Sequence, residues 1–160
     1  MGYMASGKSI IGKKIASKLA FKFVDLDKYI EEKENKSINY IFSSKGESYF
    51  REIESKALME VMDKEAVIAL GGGTPLKYEN RLLIKKGQSV FLDVSPNMLV
   101  RRLVKDKANR PLVADLNHME MVDFVKRGME ERRTFYEEAD VIIKSNRPTI
   151  KEIIIQLKKH

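Results

Sequence analysis

The sequence predicts an α/β fold: a three-layer sandwich in which helices cover both faces of a central parallel sheet of about five strands. Short apolar runs alternate with amphipathic stretches along all 160 residues, a pattern typical of parallel strands joined by helices. Two chemically suggestive stretches lie at the carboxyl ends of predicted strands: DLD (25–27) ends one strand, and GGGTP (71–75) directly follows another. Ligands bind beyond the carboxyl ends of strands in such sheets, so we expect one ligand site there.

The individual elements follow from periodicity. Apolar residues at helical spacing predict helices at 9–20, 37–42, 47–62, 95–104, 118–139 and 148–159. Short apolar runs predict strands at 21–27, 66–70, 89–94 and 140–143. The helix at 95–104 is marked by Ser95 as N-cap and Pro96 at its first position. The polar stretch 106–118, broken by Pro111, is predicted to be a loop.

Composition limits the possible functions. The length and an apolar fraction of 43% suit one globular domain. There is no cysteine, no apolar run of about 18 residues and no visible signal peptide, so we expect a cytoplasmic protein without disulfides. The net charge of +7 is dispersed, which favours anionic small-molecule substrates and solvated surface over nucleic acid or membrane partners. A monomer is expected.

Residues 2–9, GYMASGKS, fit the phosphate-loop pattern G-x-x-x-x-G-K-[ST]. Gly2 and Gly7 permit a backbone path whose N–H groups form a concave anion site, and the following helix adds the positive end of its dipole. Lys8 would reach the β- and γ-phosphates of a nucleotide, and the Ser9 hydroxyl would bind Mg²⁺. A surface turn with a solvated lysine is the alternative, and the placement before a helix argues against it.

The strand that should precede this loop is a problem. A phosphate loop is normally held at one end by a strand of about five residues, but only Met1 stands before it. The sequence could start at an internal methionine of a longer chain, the numbering could omit residues, or the fold could lack a central strand. The first two explanations are favoured, because a missing central strand would leave two neighbouring strands without backbone partners.

Two carboxylates, Asp25 and Asp27, lie at the end of the strand FVDLD. In extended chain they would share one face, where one could hold metal-bound water while the other accepts a proton from an attacking hydroxyl. Alternatively, Asp27 is the N-cap of a helix formed by DKYIEEKE and Asp25 is a solvated turn residue. Spacing alone does not decide between these interpretations.

Three glycines, residues 71–73, follow the strand 66–70 and remove every side chain from that loop. A ligand could therefore lie directly on backbone N–H groups, although a tight flexible turn is the alternative. Arg51 in FREIE and Arg132 in ERRTFYEEAD could each clamp a carboxylate through two parallel hydrogen bonds. For either arginine alone, a surface ion pair with nearby glutamates is the favoured interpretation.

In this order, the stretches GYMASGKS, FVDLD, GESYFREIE, ALGGGTP, NRPL and RRTFYEEAD resemble those of shikimate kinases. The resemblance covers the chain apart from the first strand and implies a single domain over residues 1–160, of the phosphate-loop kinase type with a mobile lid at about 105–118. It implies ATP-dependent phosphorylation of the 3-hydroxyl of shikimate with Mg²⁺, giving shikimate 3-phosphate and ADP in the pathway to chorismate and the aromatic amino acids.

The resemblance also implies roles for single residues. The loop that wraps the ATP phosphates matches Ala5, Ser6, Gly7, Lys8, Ser9 and Ile10. The metal ligands implied are Ser9 and Asp25. The residues implied to hold shikimate are Asp27, which is also the base on the 3-hydroxyl, Arg51, Gly72, Gly73 and Arg132. Arg110 matches a lid arginine that approaches the transferred phosphate and joins Lys8 and Asp27 as the catalytic set, and arginines near the nucleotide and its adenine match Arg102 and Arg147.

Two residues depart from the family pattern. Ala5 stands where glycine is usual, so its backbone either takes an ordinary φ or is strained. Ile10 stands where threonine is common, which removes a hydroxyl near the nucleotide. The rival functions are a related kinase for another hydroxy acid such as gluconate, a nucleoside monophosphate kinase, and a catalytically silent nucleotide-binding module. Retention of the catalytic set argues against the last of these.

Overall fold

Four parallel strands alternate with helices in the computed structural model, which describes residues 1–62, 65–107 and 111–159. The strands are β1 (Lys22–Asp25), β2 (Ala66–Ala69), β3 (Val90–Asp93) and β4 (Val141–Lys144). The helices are α1 (Lys8–Leu19), α2 (Leu26–Glu34), α3 (Ile38–Met62), α4 (Tyr78–Ile84), α5 (Pro96–Lys105), α6 (His118–Tyr136) and α7 (Ile150–Leu157). Short 3₁₀ turns occur at Thr74–Leu76 and Pro111–Val113.

The strands pair in two parallel sets. β1 pairs with β2 so that Lys22 lies opposite Ala66 and Asp25 opposite Ala69. β3 pairs with β4 from Val90 opposite Val141 onward. The parallel α/β class is therefore confirmed, but in the described part of the chain the strands form two two-stranded sheets, and a single sheet of about five strands is not confirmed.

Both faces of the β3–β4 pair are covered by helices, as the three-layer prediction requires. Phe91 points into a cluster with α5 and α6, whereas its neighbour Leu92 packs with Ile15 of α1 and Ile153 of α7. Successive side chains of a strand point to opposite faces, so this alternation buries the strand on both sides. A third cluster contains buried residues of α2, α3 and α4, among them Leu26, Leu58 and Ile84.

Met1 lies between the two pairs of strands. Its amino group donates to the carbonyl of Val90, and its own carbonyl accepts from the N–H of Leu92 at 3.0 Å. This is the bonding of a residue placed opposite Phe91 in a parallel ladder. On the other side of Met1, between β2 and β3, lies a groove of about 360 Å³ that is lined mainly by apolar side chains.

Most predicted element bounds agree with the structure within a few residues. Gly46, with φ 80° and ψ 172°, interrupts α3 between the two helices that the sequence predicts there. α6 ends at Tyr136, three residues before the predicted end, and begins with a capping box between Asn117 and Glu120. α4 and the turn at Thr74–Leu76 were not predicted. No helix in the described ranges is long and apolar enough to span a membrane.

Candidate active site

The phosphate-loop glycines adopt conformations that other residues rarely take. Gly2 has φ 145°, and Gly7, the N-cap of α1, has φ 97°. A Cβ on Gly2 would also lie 3.0 Å from the carbonyl oxygen of Leu92. The loop therefore needs glycine at both pattern positions, and it leads directly into the positive end of α1. The Lys8 ammonium folds back over this loop and donates to the carbonyl of Tyr3 at 3.0 Å.

Arg102 of α5 fastens the middle of the loop. Its Nη1 donates to the carbonyls of Ala5 (2.9 Å) and Ser6 (3.0 Å), and its Nη2 donates to the carbonyl of Asn146 at 2.7 Å. A surface depression of about 220 Å³ beside it is lined by Met98, Arg101, Arg102, Lys105, Asn146 and Arg147. The structure thus brings both predicted nucleotide arginines to one cationic depression next to the phosphate loop.

The two departures from the family pattern have structural consequences. Ala5 takes φ 60°, so the strained alternative is the correct one; a left-handed alanine costs about 1–2 kcal/mol. Ile10 is 66% exposed on the first turn of α1, so it presents an apolar surface to solvent where a hydroxyl is common in the family.

The predicted metal pair is in contact. The Ser9 hydroxyl donates to Oδ2 of Asp25 at 2.6 Å, across from α1 to the end of β1. Two hard oxygen ligands at the mouth of a phosphate loop suit Mg²⁺, which binds through one or two protein oxygens and otherwise through phosphates and water. No cluster of three or more acidic, histidine or cysteine side chains forms a metal cage within the described ranges. The residues present therefore fit a nucleotide-bound cation.

Asp27 lies in the first turn of α2, because β1 ends at Asp25 and helix begins at Leu26. The two carboxylates therefore do not share the face of an extended strand. The N-cap interpretation of Asp27 is also wrong, because Asp25 holds the N-cap position, where its side chain makes no capping hydrogen bond. Burial, helped by the carboxylates of Asp25 and Glu54, raises the pKa of Asp27 to about 6, against the opposing charge of Lys8.

The glycines at 71 and 73 make room for side chains of the protein itself. A Cβ on Gly71 would lie 2.7 Å from Oδ1 of Asp27, and one on Gly73 would lie 2.5–2.8 Å from the guanidinium of Arg51. The interpretation that all three glycines clear space for a ligand is thus incomplete, because two of them admit the substrate-site side chains that the resemblance implies. Among the three glycines of this loop, only Gly72 has no atom closer than 3.6 Å to an added Cβ.

Arg51 is held by carboxylates on its own helix. Its Nη1 donates to Oε2 of Glu54 at 2.8 Å, and Glu47 accepts from its Nε and Nη2 at 3.2 and 3.1 Å. Burial disfavours the charged guanidinium, but these carboxylates outweigh that effect and raise the pKa of Arg51. Glu54 itself is 1% exposed, and its second oxygen accepts from the Thr74 hydroxyl at 2.7 Å.

Gly72 and Arg132 connect the site to α6. The hydroxyl of Tyr136 donates to the carbonyl of Gly72 at 2.5 Å. A Cβ on Gly72 would lie 3.8 Å from both the N of Met4 and the carbonyl oxygen of Gly2, so the triple-glycine loop lies against the phosphate loop. One turn before Tyr136, Arg132 places its guanidinium 5.2 Å from the centre of the Tyr3 ring.

The structure therefore gathers the predicted residues around two touching loops, with one exception. Arg110 lies outside the described residues, so its position beside the site stays a prediction. Sequence analysis missed Glu54, Tyr3 and Tyr136. A signal for Glu54 was present, because this glutamate falls at helical spacing among the apolar residues Phe50, Leu58 and Val61 of α3.

Parallel strands covered by helices, a glycine-rich loop that opens a helix, and a carboxylate beside that loop define a phosphate-loop kinase. Comparison with known proteins narrows the class. The profile of the family "Shikimate kinase" matches residues 4–160. The chain belongs to the shikimate kinase family.

Individual relatives agree with this assignment over nearly the whole chain. A curated shikimate kinase of Phocaeicola vulgatus is 39% identical over 91% of this chain and 85% of its own length. The crystal structure of shikimate kinase from Bacteroides thetaiotaomicron matches with a TM-score of 0.90 and 37% identity, over 99% of this chain and 92% of that one. Shikimate kinase from Acinetobacter baumannii, solved in complex with shikimate, matches with a TM-score of 0.87 and 31% identity, over 99% and 89% of the two chains.

Proposed function

We propose that this chain transfers the γ-phosphoryl group of ATP to the 3-hydroxyl of shikimate, releasing ADP and shikimate 3-phosphate on the route to chorismate. The observation that carries the proposal is the contact between the triple-glycine loop and both Asp27 and Arg51, beside the phosphate loop. The carboxylate that would act as base and the arginine that would bind the acceptor carboxylate thus lie beside the loop that would hold the nucleotide. Family membership and the shikimate complex of the Acinetobacter relative support shikimate as the acceptor.

Binding and orientation are the main tasks of the protein in this reaction, because phosphoryl transfer requires chiefly positioning and charge neutralisation. The backbone N–H groups of the loop and the Lys8 ammonium would hold the phosphates. Arg51 and Arg132 would bind the shikimate carboxylate and so select which hydroxyl faces the γ-phosphorus. Arg102 holds the loop in shape through the carbonyls of Ala5 and Ser6.

The proton and the leaving group are accounted for by named groups. The 3-oxygen of shikimate attacks the γ-phosphorus while the bond from that phosphorus to the β–γ bridging oxygen breaks, and Asp27 accepts the hydroxyl proton. With a pKa of about 6, Asp27 is mostly ionised at pH 7 and is available as a base. Ser9 and Asp25 would hold Mg²⁺, which supplies neutralisation of charge on the phosphate oxygens when bound. Arg110 would add to that neutralisation from the lid.

ADP release measured with purified protein tests the proposal. We expect release with ATP and Mg²⁺ to depend on added shikimate, and gluconate to give no stimulation. Stimulation by gluconate but not by shikimate would reassign the acceptor, although none of the relatives described above carries a gluconate kinase name. Binding of ATP and shikimate without turnover would instead indicate a silent module. The monomeric state stays a prediction, as does the lack of a nucleic-acid partner, which rests on the dispersed charge.

A further inference from the structure

Tyr3 occupies a variable position of the phosphate-loop pattern, yet its side chain is 1% exposed. The ring leaves the loop and enters the core cluster formed with Phe91, Val125, Met129 and Tyr136. A phosphate loop binds its ligand through backbone N–H groups, so nucleotide binding alone does not call for a buried aromatic ring at this position. The ring therefore makes its contacts with α6 and not with the nucleotide side of the loop.

Gly128 shows how closely the ring approaches α6. A Cβ at this position would lie 2.3 Å from the Tyr3 hydroxyl oxygen and 2.9 Å from two ring carbons. Glycine in the interior of a helix costs about 1 kcal/mol relative to alanine, so its presence needs a compensating contact. The Tyr3 ring, packed against the backbone of α6, is that contact.

Arg132 lies one helical turn beyond Gly128, on the same face of α6. Its guanidinium carbon is 5.2 Å from the centre of the Tyr3 ring, within the range of a cation–π contact. Its Nε is buried and has no hydrogen-bond partner among the described residues. Arg51 is held differently, by hydrogen bonds to Glu54 and Glu47.

We propose that Tyr3 is a positioning residue: its ring supports the guanidinium of Arg132 in the orientation that binds the carboxylate of the acceptor. The proposal rests on the role of Arg132 in the proposed function. The backbone carbonyl of Tyr3 accepts from Lys8 at 3.0 Å, so the same residue contacts the nucleotide lysine with its main chain and the acceptor arginine with its side chain. A change confined to the side chain should separate the two.

Steady-state kinetics of Tyr3→Leu and Tyr3→Phe test this role. We expect Tyr3→Leu to raise the KM for shikimate about fivefold, because the cation–π support is lost. The KM for ATP should stay close to the parent value, because the carbonyl that contacts Lys8 is retained. Tyr3→Phe keeps the ring but removes the hydroxyl, which interacts with Arg132 and donates to the carbonyl of Phe124 at 3.4 Å, so its KM for shikimate should lie between those of the parent and Tyr3→Leu. Tyr40→Leu is the control. It removes an exposed ring at the start of α3 that makes a cation–π contact with Lys36, away from the site, and should leave both KM values unchanged.

A double-mutant cycle separates this proposal from the one it rests on. If Arg132→Ala raises the KM for shikimate and Tyr3→Leu adds nothing in that background, Tyr3 acts through Arg132. An unchanged KM in Arg132→Ala would overturn the role of Arg132 and with it that of Tyr3. A raised KM in Arg132→Ala together with a parental KM in Tyr3→Leu would overturn only the Tyr3 proposal, as would equal increases in the KM values for both substrates. Should Tyr3→Leu fail to fold, Tyr3→Met takes its place with the same expectations.

Discussion

Glu54 holds Arg51 through a 2.8 Å ion pair between its Oε2 and the Nη1 of the arginine, with the carboxylate buried and the guanidinium half-buried. The other oxygen of Glu54 accepts from Thr74, which directly follows the triple glycine. A single carboxylate thus fixes the arginine relative to the loop against which the acceptor would lie.

We expect Glu54→Gln to raise the KM for shikimate more than the KM for ATP and to lower the free energy of unfolding by about 1–3 kcal/mol. The charge of Arg51 would lose its buried partner, and the arginine would no longer be fixed in one orientation. Steady-state kinetics and urea unfolding measure the two effects.

Glu47→Gln is the matched control for that substitution. Glu47 also binds Arg51, at 3.1 Å, but its side chain is 66% exposed, so its loss should change the free energy of unfolding by less than about 1 kcal/mol. Equal effects of the two substitutions would contradict a special role of the buried pair.

Ionisation of the Asp27 carboxyl group should lower the free energy of unfolding as pH rises. Its pKa is raised from 3.8 to about 6, so between these values the folded state holds a proton that the unfolded state has lost. The contribution of this group to the free energy of unfolding therefore falls with rising pH through that window, by up to about 3 kcal/mol. The free energy of unfolding of the neutral variant Asp27→Asn should not show this decrease with rising pH.

Urea unfolding of both proteins from pH 4 to pH 8, with a chelator and without nucleotide, measures the difference. We expect Asp27→Asn to gain stability relative to the parent as pH rises and the gain to level off above about pH 7. The same variant should lower kcat by at least about 100-fold, because the proposed base is lost. A pH-independent stability difference would show that the carboxylate is not shifted.

The class of fold could be predicted from the sequence because local signals specify it. Strand and helix periodicity, and the Ser95–Pro96 start of α5, depend only on residues close in the chain. The position of Asp27 within a helix could not be predicted from FVDLD. The pattern does not show whether the strand continues to Asp27 or whether a helix begins at Leu26. Pairing of strands depends on distant contacts, so the two separate sheets lay beyond sequence patterns.

The candidate site could be predicted only where a motif or the family resemblance names the residue. The phosphate loop and the pair of Ser9 and Asp25 fall within local motifs, and their contact follows from the fold. Tyr3 and Gly128 meet only because α6 packs across the loop, 125 positions away, and no spacing rule connects them. Glu54 was missed although it is a charge on an apolar helix face, and its partner Thr74 carries no such signal in the sequence.

The strain at Ala5 predicts that Ala5→Gly stabilises the protein. Ala5 has φ 60°, which glycine adopts without steric cost. Part of the gain is offset by the greater freedom of glycine in the unfolded chain, so we expect a net increase of up to about 1 kcal/mol in the free energy of unfolding. Thermal and urea unfolding measure it.

Ala20→Gly provides the comparison for that prediction. Ala20 has a similar φ of 57° at the exposed C-terminal end of α1, remote from the loop contacts of Arg102. The substitution Ala20→Gly should stabilise the protein to the same extent as Ala5→Gly. A decrease in stability at position 5 alone would mean that the methyl group of Ala5 makes contacts worth more than the strain.

The groove between β2 and β3 predicts that an apolar extension joined to Met1 stabilises the protein. Met1 already pairs in parallel with β3 through Val90 and Leu92, so residues placed before it would continue along the groove. The groove is bounded by Ile11 and Ile15 on one side and by Ile84 on another, and alternate side chains of a strand would be buried against them. Five apolar residues should add about 3 kcal/mol and raise Tm by about 5–10 °C.

An extension of five Gly and Ser residues is the control, because it has the same length but no apolar surface to bury.

Burial, together with the charge of Lys8, lowers the pKa of the Met1 amino group to about 5. Between about pH 5 and its ordinary value of 8.0, the unfolded state therefore binds more protons, and the stability of the unextended chain gains with rising pH. Either extension turns this amine into an amide and should remove that gain, but only the apolar one should raise Tm. Equal Tm values for the two extensions would show that the groove does not accept a strand.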